Sequence, residues 1–304
     1  VYDTYSSAEE MQAKMLAGST GYDVVYHSGL DMPRAITAGI YQKLDKSKLT
    51  NLKNTDPVMM KLLSQADPGN QYLVNWAWGF VTLGINTGKV KAALGSDPMP
   101  ENAWSLIFDP KYAKKLKSCG ISMLDSATDV IPAALHYLGK PAYSTNPADY
   151  TEATKLMRAI RPNIKIFSSG INDLAGGGLC MALGYSGDMN IAAKRAKEGK
   201  TGQTIEALVP STGGLLFYDN MAIPADAEHP NNAHIFINYI LRPEVAASIS
   251  NKMNYATMTA AALPLVDKEI TANKSIFLTD DAKKKMVAQG VTTNDMRRIM
   301  TRSF

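Results

Sequence analysis

The sequence predicts an α/β protein of two lobes, built on mixed and mostly parallel sheets. Short apolar runs of strand length alternate with amphipathic or charged stretches of helix length along nearly the whole chain. The 304 residues exceed what one small core organises and fit two lobes of about 150 residues each. Hydrophobic residues make up 45% and charged residues 20%, a balance that supports packed cores and excludes a disordered chain.

The elements follow in order. The chain opens as a strand, and Ser6 and Ser7 with Glu9 and Glu10 form overlapping capping boxes. The helix they start carries Met11, Met15 and Leu16 on one face and ends at Gly18. "YDVVYHS" reads as a buried strand delivering Ser28, and Pro33 suits the first turn of a short helix that runs to Gly39. A helix over "DPVMMKLLSQA" precedes one or two β segments in "NQYLVNWAWGFVTLGIN". "NAWSLIFDPKYAKKL" reads as helix–turn–helix, "SCGISML" as a strand, and "ATDVIPAALHYLG" as a helix with Pro132 in its first turn. A helix over "ATKLMRAI" and a strand over "IKIFS" lead to the strand "LCMALGY" and a charged helix containing Asp188. "TIEALVP" and "LLFYDNMAIP" are further strands, and "PNNAHIFINYILRPEVAASISNKM" is helical with a break at Pro243. From about residue 265 the chain is lysine-rich and helical.

Several function classes find no support. The net charge of +4 is mild, and the lysines are scattered at helix spacing without interleaved aromatics, which argues against nucleic-acid binding. No apolar run approaches the length of a membrane span. "AGGGL" precedes a strand and lacks a following Lys-Ser/Thr, so it reads as a turn and not a phosphate cradle. The four histidines are scattered, and no nucleophile or metal signature is present, so neither catalytic residues, a metal nor a cofactor is expected. Cys119 and Cys180 each stand beside a strand, and spacing alone leaves open free core thiols or a bridge.

One arrangement recurs. Strands end in acids or aromatics just before a helix or turn: Asp125 and Asp129 in "SMLDSATDV", Tyr185 and Asp188 in "LGYSGD", Phe217, Tyr218 and Asp219 in "LLFYDN", and Tyr255 in "NKMNYA". Any one of them fits a helix cap or a core residue. Ligands of open parallel sheets bind beyond the carboxyl ends of strands, so such groups converge on one crevice. Acids and rings without a basic residue describe a cage for a small organic cation, with carboxylates meeting ammonium groups and rings covering methylenes.

The stretches "AGSTGYDVVYHS", "TAGIYQKLDKSKL", "KLKSCGISMLD", "INDLAGG", "GYSGD", "FYDNMAIPADA", "NYILRPEVAASIS" and "YATMTAAALPLV" resemble, in the same order, the periplasmic putrescine/spermidine-binding proteins of bacterial ABC importers. The resemblance implies the two-lobe type II periplasmic-binding-protein fold with a ligand cleft between lobes. The first lobe is expected over residues 1–77 and 205–256, and the second over 78–204 and 257–304. It implies a disulfide between Cys119 and Cys180, and a ligand set of Ser28, Asp31, Asp129, Tyr185, Asp188, Phe217, Asp219 and Tyr255. In that set Tyr185 replaces a tryptophan that the family often stacks on the ligand, and Asp31 could supply a carboxylate for a further amine. The resemblance further implies a periplasmic monomer, a polyamine ligand and ABC permease subunits as partners. The family's first strand, with its tryptophan and acid, has no counterpart in this sequence, so a segment of that lobe is expected to be missing. Binding of agmatine or γ-aminobutyrate, or a sensor role, are the alternatives. The zwitterion is disfavoured because no arginine stands among the candidates.

Overall fold

The seven strands among the described residues are β1 (Val25–His27), β2 (Val74–Asn86), β3 (Ile121–Met123), β4 (Ile166–Phe167), β5 (Met181–Tyr185), β6 (Ile205–Ala207) and β7 (Leu215–Ala222). The computed structural model of the chain describes residues 2–5, 8–27, 32–290 and 292–304. Packing divides the chain into a first unit, Val1–Trp78 with Phe217–Thr271 and Gln289–Val291, and a second, Gly79–Leu216 with Ala272–Ala288 and Thr292–Phe304. Three stretches, 205–216, 257–271 and 289–291, together with Trp78, therefore fall on the other side of the boundaries expected from sequence. Residues 205–216 join the second unit because β6 pairs with β2 (Gly84 opposite Ala207) and Leu215 bridges Val287. Residues 257–271 join the first, where Thr259 bridges Thr55 and the Trp78 indole N–H donates to the Thr257 carbonyl at 3.3 Å. Long-range pairing of this kind leaves no local mark in a sequence.

In the second unit β3 lies between β4 and β5 and runs parallel to both, with Ser122 opposite Ile166 and Ala182. β2 and β5 are antiparallel, with Val81 opposite Tyr185. Nearly every residue of β2 is buried, as its continuous apolar run requires. Trp104, Phe108, Ile131, Leu135, Tyr150 and Met181 belong to one core, and the Trp104 indole N–H is satisfied by the Gly213 carbonyl at 2.9 Å. Cys119 and Cys180 form a disulfide with a Cα–Cα distance of 5.4 Å, tying the segments that enter the parallel strands β3 and β5. Helix Ser186–Glu198 packs unusually close to the sheet. A Cβ on Gly84 or Gly184 would overlap the Met189 side chain, so only bare backbone lets that methionine lie flat.

In the first unit β1 pairs antiparallel with β7, His27 opposite Asn220. Asn75 on β2 donates to the Asp219 carbonyl at 3.0 Å and to the Asn220 side-chain oxygen at 3.3 Å. Alternate residues of β7 serve two cores. Met221 packs with Leu44, Val74 and Ile237, whereas Ala222 packs with Met11, Met15, Val25 and Leu63.

Local signals held where caps were explicit. Asp56, Asp109 and Asn146 each accept from a backbone N–H in the first turn of a helix whose first residue is proline. Pro243 begins a second helix, Pro243–Met253, after Pro230–Ile240. "AGGGL" ends the short helix Ile171–Gly176 through Gly177 at φ 82°, a conformation that suits glycine. Other expectations are corrected. Residues 2–5 form no strand. Leu16 stays exposed, since the inward face is made by Met11, Gln12 and Met15. Pro132 lies in the second turn of Ala127–Tyr137, not the first. Beyond residue 265 the helices are short until Asn294–Ser303. The capping boxes on Ser6 and Ser7 lie outside the described residues.

Candidate functional site

In the second unit the parallel strands β3 and β5 end on the same edge of the sheet, and each is followed by a helix. Asp129 occupies the third position of helix Ala127–Tyr137, and Asp188 the third position of Ser186–Glu198. Neither acid is the cap residue. Ser126 and Tyr185 hold those places, and neither makes a side-chain capping bond to the backbone. Both carboxylates stand in first turns, where the helix dipole favours negative charge. The Tyr185 hydroxyl donates to Asp129 Oδ2 at 2.8 Å, and the Ser126 hydroxyl donates to the same oxygen at 2.7 Å. Two donors from different elements thus orient one half-buried carboxylate, and Asp188 follows Tyr185 by three residues. Met189, the next residue after Asp188, lies tight against Gly84 and Gly184. Asp125 is exposed, away from this cluster's shelter.

In the first unit Phe217 and Asp219 alternate on one face of β7. They lie within that strand and not at its end, and Tyr255 follows helix Pro243–Met253 instead of a strand. The expected strand-end rule fails for these three because "LLFYDNMA" is strand throughout, which leaves Phe217 and Asp219 in its interior, and Tyr255 is placed by the Asn254 left-handed cap at φ 56°. The rings of Phe217 and Tyr255 nevertheless meet edge to face, with centroids 6.1 Å apart. Ser28 and Asp31 lie outside the described residues.

Sequence reading missed Tyr5. Its hydroxyl donates to the Tyr26 carbonyl at 2.7 Å. Partial burial and then the Asp219 charge push its pKa up to about 12. Tyr26 in turn meets Trp76 edge to face at 5.4 Å. The only local hint was an aromatic residue just before the first helix. Each unit thus presents acids beside rings, a combination suited to an organic cation. Among the described residues no His, Cys, Asp and Glu side chains are grouped to hold a metal ion, and no helix is long and apolar enough to cross a membrane.

Comparison with known proteins gives a consistent picture. The family profile of bacterial extracellular solute-binding proteins matches residues 1–277. The putrescine-binding periplasmic protein PotF of Escherichia coli (strain K12) is 43% identical over 307 residues, covering 100% of this chain and 83% of the relative. The putrescine-binding periplasmic protein SpuD of Pseudomonas aeruginosa (strain UCBPP-PA14) is 43% identical over 306 residues with the same coverage. A solved structure assigned as a spermidine/putrescine ABC transporter from Listeria monocytogenes superposes with a TM-score of 0.85 at 28% identity, covering 100% of this chain and 88% of that one. The fold is the type II periplasmic-binding-protein architecture.

Proposed function

Because the chain belongs to the bacterial extracellular solute-binding protein family, whose members bind solutes and are not enzymes, we propose that it captures a di- or polyamine of the putrescine/spermidine class in the periplasm and delivers it to an ABC permease. The observation that carries this reading is the convergence of Tyr185 and Ser126 on the Asp129 carboxylate, with Asp188 in the first turn of the helix that follows β5, the parallel neighbour of β3. These residues offer two negative groups and a ring to a cation. Phe217, Asp219 and Tyr255 offer the same chemistry in the first unit, and Ser28 and Asp31 are proposed as further contacts. The kinship to putrescine-binding relatives supports the choice of amine. A disulfide also suits an oxidising compartment.

In this reading carboxylates neutralise the ammonium ends while tyrosine and phenylalanine rings cover the methylenes. A carboxylate about 4 Å from an ammonium gains on the order of 4 kcal/mol at an effective dielectric of about 20, before desolvation is subtracted. Two such contacts with aromatic cover reach micromolar affinity, about −8 kcal/mol. The test is a thermal-shift and calorimetric series with putrescine, cadaverine, spermidine, spermine, agmatine and γ-aminobutyrate. A diamine or polyamine should bind best, and Asp188→Ala should weaken it at least about a hundredfold, as loss of a principal ion contact requires. Unchanged affinity in that variant, or γ-aminobutyrate outbinding every diamine, would overturn the proposal. Transport by permease-containing vesicles tests delivery.

A further inference from the structure

The strand that shows Phe217 and Asp219 on one face turns Tyr218 to the other. Tyr218 is 3% exposed, and its buried hydroxyl has no hydrogen-bond partner among the described residues. It lines a cavity of about 80 Å³ in the first unit, walled by Met32, Pro33, Leu62, Leu63 and Ala66. A second buried polar atom without a partner belongs to the same wall, the carboxamide oxygen of Gln289. Gln65 stands at the rim and is exposed.

Buried polar atoms are nearly always paired, so two orphans in the wall of one void call for a common partner. A phenol hydroxyl needs an acceptor, and a carboxamide oxygen needs a donor. Water is both. An apolar occupant would leave each group unsatisfied, and among the described residues no acidic or basic side chain lines the cavity to hold an ion. The space is well above the roughly 10–15 Å³ that one water requires.

We propose that this cavity is an internal hydration site, in which ordered water accepts from the Tyr218 hydroxyl and donates to Gln289 Oε1, latching the Gln289–Gly290 segment to the back of β7. The segment belongs to a three-residue return of the chain to the first unit, between stretches 272–288 and 292–304 that belong to the second. No strand or helix includes it. Burial also holds the Tyr218 phenol well above its ordinary pKa, so it stays a donor at any ordinary pH.

Tyr218→Phe, Gln289→Leu and the double variant, each checked for folding by circular dichroism, test the latch. Each single substitution should lower the melting temperature by about 2–4 °C, the effect of one buried polar group losing its partner in a domain of this size. The double variant should melt no lower than the worse single one, because both remove the same bridge. Water-oxygen magnetic relaxation dispersion should count at least one fewer long-lived internal water in Tyr218→Phe than in the parent protein. Additive losses in melting temperature, or an unchanged count of internal waters, would overturn the proposal, and the second readout stands even if one variant is too unstable for the first.

Discussion

Replacing Tyr185 by phenylalanine removes a single oxygen atom and is expected to weaken diamine binding about fivefold. The Asp129 carboxylate is oriented by two hydroxyl donors on Oδ2, Ser126 at 2.7 Å and Tyr185 at 2.8 Å. Phenylalanine keeps the ring in place and leaves Ser126 as the one remaining donor of the two. The carboxylate then regains rotational freedom that must be lost again when an ammonium group docks. Immobilising a side chain on binding costs about 0.5–1.5 kcal/mol, and about 1 kcal/mol corresponds to fivefold in Kd. Tyr185→Ala also removes the cation–π face, worth about 0.5–2 kcal/mol more, so it should bind at least about twofold more weakly than the phenylalanine variant. Isothermal titration calorimetry with putrescine on all three proteins reads both steps. If Tyr185→Phe binds as tightly as the parent, the hydroxyl does not pre-orient Asp129 and the reasoning fails, whatever the alanine variant does.

Three other outcomes bear on the scaffold. Reducing or replacing the Cys119–Cys180 bridge, which closes a loop of 61 residues, should lower stability by about 4 kcal/mol in the chain-entropy description, measured by urea unfolding with and without reductant. Gly84→Ala should cost about 1–3 kcal/mol because its Cβ overlaps Met189, and a melting temperature equal to the parent's would show that the helix simply slides away. The His27 imidazole is fully buried, shares a 2.6 Å hydrogen bond with the Tyr41 hydroxyl, and is held by desolvation down to about 4 from an ordinary 6.5. Its unfolded form takes up a proton that the folded form refuses, so its stabilising contribution is complete above pH 6.5 and declines as pH falls toward 4. The loss should reach about 3 kcal/mol, and His27→Gln should flatten this limb of the stability–pH curve.

Much of the second unit was legible locally. "LCMALGY" announced a buried strand, and the acid three residues past its tyrosine fell in the first helical turn that follows. Asp129 was found by the same strand-then-helix pattern, although its contact with Tyr185 spans 56 residues and no periodicity encodes it. Phe217, Asp219 and Tyr255 were picked for a strand-end geometry that they do not have. Their chemistry was visible, but their placement depends on the length of β7 and on a left-handed asparagine. Tyr5 escaped because its hydrogen bond to the Tyr26 carbonyl joins residues 21 apart and leaves no local pattern. The unit boundaries failed for the same reason, since β6 and the Thr259 bridge join segments more than 100 residues apart.

The flat seat of a thioether on two side-chain-free backbones has its own consequence. Gly84, Gly184 and Met189 form a mutually fitted trio, and Met189 directly follows Asp188 in the helix that carries it. Changes among them should be strongly non-additive: a methyl placed on either glycine ought to be relieved by trimming the methionine to a smaller residue. Tuning of the anchor's position can thus originate beneath it, from the far side of the sheet surface, without any substitution among the residues that meet the solute.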